Sequence, residues 1–117
     1  RRDWIIRATG SQMANDGESG IRAWLALSEI LAKQKDRIEE SLEILTMWLR
    51  DLLVVNYDPQ RVLNQDRLET LLTVAKHVKQ TQLLERIDAV DSALTALRSN
   101  TNARLTLDAM VLRMAAA

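Results

Sequence analysis

The chain has 117 residues, one domain's worth, with 16 basic and 16 acidic residues, no cysteine, no phenylalanine, one proline and three glycines. Zero net charge argues against a nonspecific nucleic-acid binder, which draws on a clustered basic excess. The lack of cysteine excludes disulfides and thiolate metal sites, and no apolar run approaches the length of a membrane span.

Leu, Ala, Arg, Glu and Asp dominate, a composition that favours helix over strand. The opening Arg-Arg-Asp, without an initiator Met, leads us to expect a piece of a longer protein. From Arg1 to about Met13 the apolar residues Trp4, Ile5, Ile6 and Ala8 predict a short helix, weakened by Gly10. Ala14 to Glu18 reads as a loop. Ser19 is a plausible N-cap for a second helix to about Gln34, with Ile21, Trp24, Leu25, Ser28 and Leu31 on one face. Ser28 is the single polar member of that face.

Asp36 and Glu39 form an Asp-x-x-Glu capping pattern ahead of a third helix, to about Asn56. Ile38, Leu42, Leu45, Leu49 and Leu52 step by four and three, and Ile44, Met47, Trp48, Leu53, Val54 and Val55 add a second apolar flank. Such a helix packs on more than one side and is expected at the centre of a bundle, spanning roughly 30 Å. Asn56-Tyr-Asp-Pro59 stops it. Asp66 and Glu69 repeat the capping pattern for a fourth helix to about Lys79, with Leu68, Leu71, Leu72, Ala75 and Val78 inward. Thr81 is placed to cap a fifth, where Leu83, Ile87, Val90, Leu94 and Leu97 step by four and three. Ser99 to Asn102 breaks the pattern before a last helix from about Ala103 to Met114, with Leu105, Leu107, Met110, Val111 and Met114 mostly inward. The four-three ladders cover under three heptads each, so the fold class is all-α, a single bundle of five to six helices over residues 1–117, and not a coiled coil.

Little of this carries chemistry. His77 is the only histidine and lies between Lys76 and Lys79, where a surface position is the plain reading. Glu39, Glu40 and Glu43 sit near a helix N-terminus, which favours acids without any catalytic role. Arg1, Arg2 and Arg7 are offset by Asp3 and later acids. No Gly-rich phosphate loop and no nucleophile elbow occurs. No catalytic residue, metal site, cofactor or small molecule is expected. Trp24 and Trp48 fall on apolar faces and read first as core, second as interface residues.

Two stretches are more specific. Arg50 and Asp51 follow Trp48 on a nearly apolar helix, so each must be paired or reach the end of the bundle. Asn102 is a good N-cap for the last helix, and Asn100 can bond the backbone of the turn before it. Arg104 falls in that helix's first turn, where a positive charge opposes the dipole. We therefore expect one of Arg50 and Asp51 to hold the start of the last helix, with Asp51 a candidate acidic partner for Arg104.

Trp48-Leu-Arg-Asp-Leu-Leu53 and Asn100-Thr-Asn-Ala-Arg-Leu-Thr-Leu-Asp108 resemble stretches of the C-terminal domain of the bacterial DNA polymerase III delta-prime subunit, with Asp108 where Glu is usual. Ala-Lys-Gln-Lys-Asp-Arg, from Ala32 to Arg37, is similar to that family's helix junction. The resemblance implies a cytoplasmic, non-catalytic helical collar domain of the clamp loader. Its partners would be the other clamp-loader subunits, with no direct contact to nucleic acid or membrane. The family-motif residues so marked are Trp48, Arg50, Asp51, Asn100, Asn102, Arg104 and Leu105. The other readings are a collar domain of another clamp-loader subunit (gamma/tau or delta), or an unrelated small helical enzyme or ligand-binding bundle. That last reading needs an inward polar cluster, and only Arg50 and Asp51 come near one.

Overall fold

A computed structural model defines residues 2–13, 17–99 and 102–117. Six α-helices follow one another: α1 (Arg2–Met13), α2 (Gly17–Lys33), α3 (Ile38–Val54), α4 (Leu68–Ala75), α5 (Gln80–Arg98) and α6 (Ala103–Ala116). Among the described residues there is no strand, so the fold is all-α.

The apolar ladder of α3 explains its place. Leu42, Leu45, Leu49 and Leu52 are all but fully buried, and Trp48 fills the gap beside them at 1% exposure. α1, α2, α4 and α5 all touch α3, so it is the central helix its two apolar flanks predict. α6 packs against α2 and α5 on the other side of the molecule. One contiguous core results, with Trp24 of α2, Leu71 of α4, Val90 of α5 and Leu107, Val111 and Met114 of α6 fully enclosed.

Several helix ends differ from expectation. Both Asp-x-x-Glu patterns fail as capping boxes. A three-residue 3-10 turn precedes the α-helix in each place, Lys35–Arg37 before α3 and Gln65–Arg67 before α4. Asp36 and Asp66 therefore sit inside a turn, and Arg37 and Arg67 hold the cap positions without a side-chain cap. α4 stops at Ala75, short of Lys79. α5 begins at Gln80, so Thr81 lies within its first turn and does not cap it. Gln82 Oε1 instead accepts from the Lys79 backbone N–H at 2.8 Å, half of a capping box. α2 starts at Gly17, inside the expected loop; residues 14–16 and the Ser19 side chain lie outside the described residues.

The stop after α3 is as its sequence dictates. Asp58 is extended ahead of Pro59, and its carboxylate accepts from the Gln60 N–H at 3.2 Å to start a 3-10 turn, Pro59–Arg61. This returns the chain to α4 along the C-terminal end of α3.

Candidate functional site

The two stretches singled out in the sequence do not meet. Leu97, Arg98 and Ala103, which join α5 to α6, lie against Ile38 and Glu39 at the first turn of α3. Asp51 is thirteen residues further along α3, roughly 20 Å away along its axis. The expected contact between Asp51 and the start of the last helix is therefore wrong, and length along α3 is the reason.

Asp51 holds a different segment. Its carboxylate is 3% exposed. It accepts from the backbone N–H groups of Leu63 and Asn64, both at 2.8 Å, and from Asn64 Nδ2 at 2.7 Å. These donors sit just ahead of the Gln65–Arg67 turn that leads into α4, so the negative charge faces the positive end of that helical segment. Three hydrogen bonds replace the water that a buried carboxylate loses. Asn64 then passes the link to α1, since its Oδ1 accepts from Arg2 Nη1 at 3.1 Å. Arg2 also pairs with Asp66, and Asp3 of α1 with Arg67. These exposed pairs hold the Asp66 and Asp3 carboxyls below the usual carboxylate range, in each case chiefly through the hydrogen bond from the partner arginine. Asp51 is thus a structural clasp with both carboxylate oxygens engaged, and Arg50 beside it is exposed. The inward polar cluster that an enzyme or ligand-binding bundle would need is not formed there.

The end stretch does three separate jobs along α6. Asn102 Oδ1 accepts from the Leu105 N–H at 3.0 Å, which is the N-cap its sequence predicts. Asn100 lies outside the described residues. Arg104 finds its acid one turn on, Asp108, at 3.3 Å. Asp108 also accepts from the buried Ser28 hydroxyl of α2 at 2.6 Å. Ser28 and Asp108 were not linked from sequence, although a serine inside an apolar stripe was the available signal. Leu107 enters the core, whereas Leu105 is 69% exposed and does not point inward as expected.

Leu105 lines a groove of about 440 Å³ between the antiparallel helices α5 and α6. Buried Ala89, Ala93 and Met110 form its floor, with Ala96 on the α5 side and exposed Leu105 and Ala109 on the α6 side. Alanine on α5 leaves the hollow that larger side chains would fill. At one end Arg113 of α6 reaches Glu85 (2.6 Å), Asp88 and Ser92 (3.3 Å) of α5. The two carboxylates raise the Arg113 pKa, the hydrogen bond to Glu85 contributing most. Below the groove, Arg86 of α5 is buried against the Trp24 ring, 5.8 Å from its centroid, and donates from Nε to the Met114 carbonyl at 3.1 Å. Gln82 Nε2 donates to the Ala117 carbonyl at 3.2 Å. Both ends of α6 are therefore tied down, and the groove has fixed walls.

The remaining candidates take their plain readings. His77 is exposed. Glu39 and Glu43 share Arg98 of α5, and Glu40 pairs with Arg37. Trp24 and Trp48 are core residues, each 1% exposed. Among the described residues no group of His, Asp or Glu has the spacing of a metal site. No described helix is long and apolar enough to cross a membrane.

Residues 3–115 match the family model described as DNA polymerase III, delta subunit, C terminal. No curated protein and no solved structure matches the chain.

Proposed function

The chain belongs to the family formed by the C-terminal domains of DNA polymerase III delta subunits, and from that premise we propose that it is a subunit-assembly domain of the clamp loader, of the delta-prime type. The family description names the delta subunit. The delta-prime reading rests on the resemblance of Trp48–Leu53 and Asn100–Asp108, in that order along the chain, to stretches of the delta-prime collar domain. In this reading the domain works in the cytoplasm, performs no chemistry and contributes to sliding-clamp loading by joining its neighbours.

One observation supports an assembly role above others. α6 carries exposed apolar residues at Leu105, Ala109, Leu112 and Ala116, a four-three-four stripe of the kind that packs against a further helix. The charged residues of α6 are engaged with its own neighbours: Arg104 with Asp108, and Arg113 with Glu85 and Asp88. What remains outward is apolar.

The test is co-elution of the 117-residue chain with gamma/tau, delta and delta-prime, each tagged singly, followed by competition against the assembled loader. Retention by gamma/tau with displacement of delta-prime alone supports the full reading. Displacement of delta alone, or of one gamma/tau copy, assigns the domain to that position in the loader. Retention by none of them removes the assembly role.

A further inference from the structure

We propose that α1 is a detachable strap: it lifts off α3 and α2 and unwinds while the other helices stay folded, the ion pairs at its first turn set how often this happens, and Asn64 passes the release on to the turn before α4. Such a strap operates whichever neighbours the domain joins, so it stands apart from the assembly reading.

α1 has little to hold it in shape by itself. A helix of 12 residues is marginal in water, so α1 depends on being docked. Gly10 in its interior weakens it by about 1 kcal/mol against alanine. Its last turn has no basic residue to offset the helix dipole. Ile5 and Ile6 enter the core. Thr9 is buried as well, but its hydroxyl turns back to the Ile5 and Ile6 carbonyls of its own helix, at 2.8 and 3.2 Å.

The fastening lies at the first turn and is electrostatic. Arg2 grips Asp66 with both terminal guanidinium nitrogens, one on each carboxylate oxygen. Asp3 takes Arg67. Neighbouring residues of opposite sign on α1 thus meet neighbouring residues of opposite sign in the turn. Isolated surface pairs contribute little, but a bidentate arginine within a set of four charges contributes more. The four side chains are between 37% and 60% exposed, so dissolved salt screens them. The apolar packing of α3, α5 and α6 has no such sensitivity. Salt therefore loosens α1 selectively.

Asn64 couples this release to the turn. Its Oδ1 accepts from Arg2 Nη1 at 3.1 Å, while its Nδ2 donates to Asp51 at 2.7 Å. When α1 leaves, the Asn64 amide loses a charged donor and one of the two contacts that orient it. Asp51 keeps its bonds to the Leu63 and Asn64 N–H groups, so the segment loosens without leaving α3.

Hydrogen exchange of the 117-residue chain, read by mass spectrometry, tests the strap. Amides of α1 are expected to exchange through an opening that depends weakly on urea, and those of α3 and α5 through global unfolding. Raising salt from about 0.05 M to about 0.5 M should quicken α1 exchange by about threefold or more and leave α3 unchanged. Arg2→Asp should do the same at low salt, with the amides of residues 64–67 following in part. Adding Asp66→Arg reverses the pair and should restore slow exchange in both places. Exchange of α1 in step with α3 at every urea and salt concentration overturns the proposal. So does α1 exchange that ignores salt, or a reversed pair that rescues nothing. Residues 64–67 unmoved by Arg2→Asp while α1 opens would overturn the coupling through Asn64.

Discussion

The Asp51 carboxylate on the last turn of α3 accepts from both the backbone N–H and the side-chain amide of Asn64, at 2.8 and 2.7 Å. A third bond from the Leu63 N–H completes the clasp. The same segment is held further by Gln65 Nε2, which donates to the Pro59, Gln60 and Val62 carbonyls, and by Arg2 on Asn64; Val62 and Asn64 turn inward while Leu63 is 66% exposed. Asp51→Ala leaves two backbone donors and an amide without their acceptor. The expected cost is about 2–4 kcal/mol, read as a lower urea midpoint with an unchanged slope. Asp51→Asn, which keeps one acceptor and adds an unwanted donor, should fall between. A midpoint unmoved by the alanine variant would mean that water replaces the carboxylate fully.

Ser28 and Asp108 join α2 to α6 across a part-buried hydrogen bond of 2.6 Å. Ser28→Ala should cost about 1–2 kcal/mol, because the acceptor is charged and half-buried. Ser28→Ala combined with Asp108→Ala should cost less than the sum of the single changes, with a coupling of about 1 kcal/mol. Strict additivity in a denaturation cycle would show that the two side chains act independently.

Asn102 caps α6 through the Leu105 N–H. Asn102→Ala is expected to destabilise by about 1 kcal/mol, while Asn102→Asp keeps the acceptor and the stability. Hydrogen exchange at Leu105 gives a local reading: its amide should exchange faster in the alanine variant alone.

Two ion pairs bind α1 to the turn before α4, Arg2 with Asp66 and Arg67 with Asp3. Both carboxyls are held below their ordinary value of 3.8 by the arginines. A carboxylate depressed in the folded state stabilises fully above its unfolded pKa, and that share is lost as pH falls through the lower folded value. Stability should therefore decline on acidification below the ordinary carboxylate value. The double change Asp3→Asn and Asp66→Asn should flatten this part of the profile. Because the pairs are exposed, 0.5 M salt should flatten it as well, at roughly 4–5 Å of screening length. A profile identical in the wild type and the double variant would assign the acid response to other groups.

Much of the fold was legible because helices announce themselves through period. The α3 ladder, the stop at Asn56–Pro59, the Asn102 cap and the core positions of Trp24 and Trp48 all follow from local rules. What the sequence hid were choices between local alternatives decided by tertiary contact. Asp66 fits a helix cap by pattern, yet Arg2 lies 64 residues earlier and claims it. Asp51 and Arg104 fit each other by charge, yet they stand at opposite ends of α3. Leu105 and Leu107 are both leucines of α6, and only packing tells that one is core and the other surface. The groove was invisible for the same reason: a hollow is defined by what is missing between two helices, and alanines on α5 read equally well as helix formers.

α6 is fastened at its first turn by Asn102, at its middle by Ser28, and at its last turn by Arg86 and Gln82. None of those fastenings uses the side chains of Leu105, Ala109 or Leu112. The outward residues can therefore drift in evolution without a penalty in folding, and partner choice can diverge between descendants of one stable scaffold. A duplicated copy of this domain would need to change only a few exposed positions on one helix to acquire a different neighbour.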